Sequence, residues 1–131
     1  MPTRREARER ALSLCYEADV RGLDADQLLG ELPAAPDEYA EAVVRGVESH
    51  RDEVDAILRK VSEHWALERM PVVDRTLLRL STFELGWVLD VPSAAVLTEA
   101  VELAKQYSTK DSGRFVNGLL ARIAEQLRGD V

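Results

Sequence analysis

Between Pro71 and Pro92 the sequence carries Val73, Leu77, Leu80 and Leu85 on one helical face, and Leu78, Phe83 and Val88 widen it. Proline suits the first turn of a helix and stops one further along, so the two prolines bound this segment. An apolar face this broad belongs to a helix buried on more than one side.

The other segments read as helices too. Thr3 followed by Glu6 is a capping-box pattern that starts a helix running to about Val20. Ala7, Ala11, Leu14 and Ala18 form its buried stripe, with Cys15 at the edge. Arg21 and Gly22 end it, Asp24 caps a short helix through Leu28 and Leu29, and residues 33–36 form a loop. A third helix begins near Asp37, carries Tyr39, Val43, Val44 and Val47, and ends or bends around His50. Val54, Ile57, Leu58 and Val61 mark a fourth, reaching to Trp65. Beyond Pro92, Ser93 caps a helix through Val96, Ala100, Leu103 and Ala104. After a loop at 108–112 the last helix carries Phe115, Leu119, Leu120, Ile123 and Leu127. Nothing alternates with the period of two that strands need. The spacing predicts an all-α domain of about seven amphipathic helices, with residues 1–131 forming a single domain.

With 131 residues, 46% hydrophobic and 31% charged, the chain can build a core without a disulfide or metal staple and is too apolar for disorder. The single cysteine, Cys15, excludes an internal disulfide, and two histidines with one cysteine make a poor zinc cage. No metal or cofactor is expected. No apolar run approaches the roughly 18 residues that cross a membrane, and the N-terminus lacks a signal peptide's apolar centre. A cytoplasmic protein with no membrane association is expected. Catalysis is a weak reading: neither His50 nor His64 has a local Cys or Ser partner that suggests nucleophilic catalysis, and no Gly-rich phosphate loop, HExxH, GxSxG or CxxC is present. The chain is expected not to be an enzyme.

The net charge of −7 argues against a general nucleic-acid binder. The charge is uneven, however. Residues 1–10 carry four arginines and two glutamates, a net +2, whereas residues 11–40 carry one basic and seven acidic side chains, a net −6. At 100° per residue Arg5, Arg8, Leu12 and Tyr16 share a sector of the first helix away from the alanine stripe. Guanidinium groups grip phosphates bidentately and a tyrosine ring stacks on bases, so this sector suits an RNA contact. It equally suits a solvated face in which Arg4, Arg5 and Arg8 pair with Glu6 and Glu9. A second basic and aromatic island contains Lys105, Tyr107, Lys110, Arg114 and Phe115, with Asp111 among them. Its 108–112 loop opens a helix N-terminus, which attracts anions; it also reads as a plain helix cap with Phe115 in the core.

Three blocks of the sequence resemble the NusB family of bacterial transcription antitermination factors. RREARERALSLCYEAD (residues 4–19) is similar to the family's arginine helix, and MPVVDRTLLRLSTFEL (70–85) to its central helix. VPSAAVLTEAVELAKQYSTKDSGRFVNGLL (91–120) resembles its C-terminal signature, in which FVNGLL is especially telling. The resemblance implies two small helical sub-bundles packed nearly perpendicular. It also implies that the chain pairs with NusE, a small-subunit ribosomal protein, and binds boxA RNA of nascent ribosomal transcripts. With other Nus factors and RNA polymerase, such a pair suppresses termination and promotes complete rRNA synthesis. Carried over by position, Arg4, Arg5, Arg8, Tyr16, Lys105, Asp111, Ser112, Arg114 and Phe115 are the expected RNA-binding residues. Tyr16, Glu68 and Asp74 are the expected NusE-facing ones. The acidic balance suits a basic partner. Glu6 and Glu9 break up an arginine run that is denser in many members, which lowers the RNA affinity expected of the chain alone. Two other readings compete: a helical protein-interaction module, such as a homodimer that masks its own RNA face, and an accessory domain related to rRNA cytosine methyltransferases.

Overall fold

The computed structural model describes residues 2–63 and 65–129, so His64 lies outside the described residues. Among them are seven α-helices, one 3₁₀ turn and no strand. The helices are α1 (Arg4–Arg21), α2 (Ala25–Glu31), α3 (Glu38–Ser49), α4 (Arg51–Val61), α5 (Val72–Trp87), α6 (Ser93–Tyr107) and α7 (Ser112–Arg128), and the 3₁₀ turn covers Leu67–Arg69.

The caps explain most boundaries. The Thr3 hydroxyl accepts from the Glu6 backbone N–H at 3.1 Å while the Glu6 carboxylate accepts from the Thr3 N–H at 2.8 Å, closing the capping box. Asp24 and Gln27 repeat the motif at α2. Gly22 ends α1 in the left-handed region at φ 66°, where a side chain would be strained.

Three boundaries differ from the sequence expectation. α4 stops at Val61 rather than reaching Trp65, because the Ser62 hydroxyl donates back to the Leu58 carbonyl at 2.7 Å as the chain leaves the helix. α5 ends at Trp87, well before Pro92. Its terminal carbonyls are taken by Arg128 of α7: Nε donates to Leu85 O at 2.9 Å, and Nη2 to Glu84 O at 3.2 Å and Val88 O at 3.1 Å. Nη1 of the same side chain reaches Val91 O at 2.6 Å. Ser93 is the first residue of α6 rather than its cap, and its hydroxyl accepts from Arg128 at 3.2 Å.

Helix α5 is the centre. Every residue from 76 to 85 is buried, in agreement with its broad apolar face. Helices α1, α2 and α3 pack together as one group, α4, α6 and α7 as another, and α5 contacts both, so one hydrophobic cluster runs through the molecule. Gly46 lets α3 approach α5 closely: a methyl group there would lie 2.1 Å from the Phe83 ring. His50, at the α3–α4 junction, packs 4.6 Å from the Trp87 ring and 5.6 Å from Phe83. Among the described residues no helix is long and apolar enough to cross a membrane.

Candidate nucleic-acid interface

Helix α1 is buried over a wider arc than its alanines alone indicate, because it lies against both α3 and α5. Arg8, at the middle of that arc, is 4% exposed, and Leu12 beside it is 5% exposed. The Arg8 Nε lies 2.9 Å and 3.2 Å from the two carboxylate oxygens of Glu84, itself almost wholly buried. The Tyr39 hydroxyl donates to the same carboxylate, and burial beside Glu84 pushes the Tyr39 pKa up to about 12. Arg4 lies over the outer face of the Tyr39 ring, 3.8 Å from its centroid. Arg8 therefore does not stand on the surface where the sequence expectation put it. It neutralises a buried carboxylate and fixes the rotation of α1 about its axis, which leaves Arg4 and Arg5 facing outward.

Arg5 points along the other edge of α1, towards α6. Its Nε and Nη2 donate to the two oxygens of Glu99 at 2.8 Å and 3.3 Å, and its side chain remains half exposed. One turn further on, Glu9 accepts from the Tyr107 hydroxyl at 2.6 Å, a second tie between α1 and α6. Tyr16 is 41% exposed and borders a shallow depression formed with Glu9, Leu12, Ser13, Val73 and Tyr107.

The second island continues this surface around α6. Lys105 is exposed, 3.9 Å from Glu102, and its stem passes over Gly113 at the start of α7. Lys105, Lys110, Asp111, Arg114 and Asn117 line one groove between α6 and α7. Lys110 and Arg114 form no ion pair among the described residues, which leaves both free for an anion. Phe115 is half-buried, its ring 5.0 Å from that of Trp65.

Ser112, expected on this RNA surface, and Asp74, expected to face NusE, are both buried instead. Ser112 is 2% exposed and Asp74 3% exposed. Asp74 accepts from the hydroxyls of Ser108 and Ser112, the latter at 2.9 Å, while Ser112 Oγ accepts from the Thr109 N–H at 3.3 Å. A carboxylate at the N-terminal turn of α5 also suits the helix dipole. Asp74 thus pins the loop that carries Lys110 and Asp111, and neither of its oxygens faces outward. Glu68, on the 3₁₀ turn, is exposed and pairs with Arg59 at 2.7 Å.

The profile of the NusB family matches residues 5–125. This chain belongs to the NusB family. It is 48% identical over 127 residues to the transcription antitermination protein NusB of Acidothermus cellulolyticus, covering 94% of this chain and 88% of that one. Among solved structures it is similar to NusB of T. maritima, with a TM-score of 0.86, 36% identity, and 95% of this chain and 92% of that chain covered. It is also similar to a chain in the crystal structure of the antitermination factors NusB and NusE in complex with double-stranded RNA. There the TM-score is 0.82, the identity 30%, and the coverage 94% of this chain and 96% of that one.

Sequence reasoning missed the residues that hold the face in place: Glu84, Tyr39, Glu99 and Asp74 in its buried role. One signal for Glu84 was available. A carboxylate in the apolar run 77–85 must find a cation or a hydroxyl when the helix is buried. The same argument covers Arg79, whose Nε and Nη2 donate to Asp55 at 2.8 Å and 3.1 Å.

Proposed function

We propose that this chain is a transcription antitermination factor that binds boxA RNA of nascent ribosomal transcripts together with NusE. The pair acts with other Nus factors and RNA polymerase in the cytoplasm. Its role is that of a binding adaptor rather than a catalyst. The observation that carries this reading is the continuity of the two basic islands: Arg4 and Arg5 on α1 are joined through α6, which carries Lys105 in its last turn, to Lys110 in the following loop and Arg114 in the first turn of α7. Arg4, Arg5, Lys105 and Arg114 are assigned to phosphates, and Tyr16 and Phe115 offer rings for stacking. Asp111 lies within the same surface. Arg8, Ser112 and Asp74 support the face from beneath, and Tyr16 with Glu68 is assigned to the partner side. The solved complex of NusB and NusE with RNA, similar over nearly the whole chain, supports the choice of partners.

Few cations face the RNA, so binding by the chain alone should be weak and salt-sensitive, each phosphate contact adding about −0.7 to the logarithmic salt slope for a single strand. The test is fluorescence anisotropy of labelled boxA RNA against a scrambled sequence, with and without NusE. Tighter and sequence-selective binding with NusE is expected. Equal, weak binding to both RNAs in the presence of NusE would overturn the reading.

A further inference from the structure

We propose that Glu99 and Glu102 of α6 set the RNA affinity of this face by competing with phosphate for Arg5 and Lys105. The inference rests on the RNA-binding reading above and assigns a role to two residues outside the expected binding set.

Glu99 meets Arg5 with both oxygens, at 2.8 Å and 3.3 Å, the same two-point grip that a phosphate would take. The Arg5 side chain is 52% exposed, so a phosphate can reach it, whereas Glu99 is only 21% exposed and sits on α6 directly beside it. When a phosphate takes the guanidinium, Glu99 therefore stays nearby and repels it. Glu102 stands beside Lys105 at 3.9 Å in a looser, half-exposed pair, and the charges of Glu99, Glu102 and Glu9 all act on Arg5. Because α6 joins the arginine helix to the α7 island, an RNA strand running from Arg5 to Arg114 must pass this acidic pair. The face is thus self-opposed, and a basic partner or a charge-removing substitution relieves the opposition. The competition acts on phosphates and not on base edges, so it lowers affinity for every sequence alike.

The test measures boxA and scrambled RNA binding, with NusE present, for the wild type, Glu99→Gln, Glu102→Gln, Arg5→Ala and Arg5→Ala with Glu99→Gln. Releasing an exposed ion pair and one repulsive charge should tighten binding about three- to tenfold at low salt for Glu99→Gln. The gain should be the same for both RNAs, should shrink at high salt, and should be smaller in the Arg5→Ala background. Unchanged or weaker binding by a folded Glu99→Gln protein, with the wild type binding normally, overturns the inference and leaves the RNA reading standing. Failure of both the wild type and Glu99→Gln to prefer boxA overturns the RNA reading and this inference with it.

Discussion

Arg8→Ala separates the two roles that an arginine in this helix can have. Arg8 and Glu84 are both buried, with side chains 5% and 1% exposed, and their charges lie 2.9 Å apart. Removing Arg8 leaves the Glu84 carboxylate in the interior with only the Tyr39 hydroxyl as a neutral donor. Breaking a buried pair in this way costs about 3–5 kcal/mol, against a total stability of about 5–15 kcal/mol for an ordinary domain. At roughly 3–5 °C per kcal/mol for a chain of this length, the melting temperature should fall by about 10–20 °C. Arg5→Ala is the matched control: its ion pair is half exposed and worth about 0–1 kcal/mol, so the fold should hardly change. The penalty of Arg8→Ala comes from the stranded charge. The triple variant Arg8→Met, Glu84→Leu and Tyr39→Phe, which removes every polar member and keeps the ring beneath Arg4, should therefore recover most of the loss. The assay is thermal and urea unfolding followed by circular dichroism, with RNA binding measured on the same samples. An Arg8→Ala protein that melts within about 2 °C of the wild type while losing RNA affinity would refute this reasoning and return Arg8 to the RNA surface.

Gly46→Ala should destabilise the fold by about 1–3 kcal/mol despite a helix-propensity gain of about 1 kcal/mol, because the new methyl meets the Phe83 ring; a raised melting temperature would show that Phe83 moves aside freely. Burial pushes the Asp19 carboxyl upward, but the hydrogen bond from Arg75 and the charges of Arg75, Arg79 and Arg51 outweigh it and hold the pKa below the ordinary value. Its contribution is therefore present above the unfolded pKa of about 3.9 and lost as pH falls through the lower folded value. Asp19→Asn should lower stability at neutral pH and flatten the acid limb of the profile, and an unaltered acid limb in urea melts would exclude this coupling. Asp74→Ala releases Ser108 and Ser112, at about 1.5–3 kcal/mol for each lost bond to the charge. Limited proteolysis should then cut at 108–112 before global unfolding, and a loop as resistant as the wild type would show that Asp74 does not hold it.

Local signals in the sequence were enough for the elements. Thr3 with Glu6 and Asp24 capping the second helix are side chains within one turn of what they cap, so spacing alone reveals them. The broad apolar face of α5 likewise announced a central helix. The face of α1 was only half legible. Its alanines marked one edge of the buried arc, but a second neighbour widened that arc to take in Arg8 and Leu12. Arginine on an amphipathic helix reads as surface unless its counter-ion is known, and Glu84 lies 76 residues away in sequence. The same distance problem hid the roles of Asp74 and Glu99, since a carboxylate pairs with whatever the tertiary fold brings to it. Lys105 and Arg114 were easier, because the α6–α7 hairpin sets them together locally.

The Arg128 side chain carries a consequence for how the molecule is made. No left-handed glycine follows α5, whose C-cap is Val88 at φ −111°, and a residue about 40 positions later in the chain closes its last turn. During synthesis that turn stays open to water until α7 has emerged and docked. The C-terminal end of the central helix is therefore expected to tighten together with the closing of α7 over it.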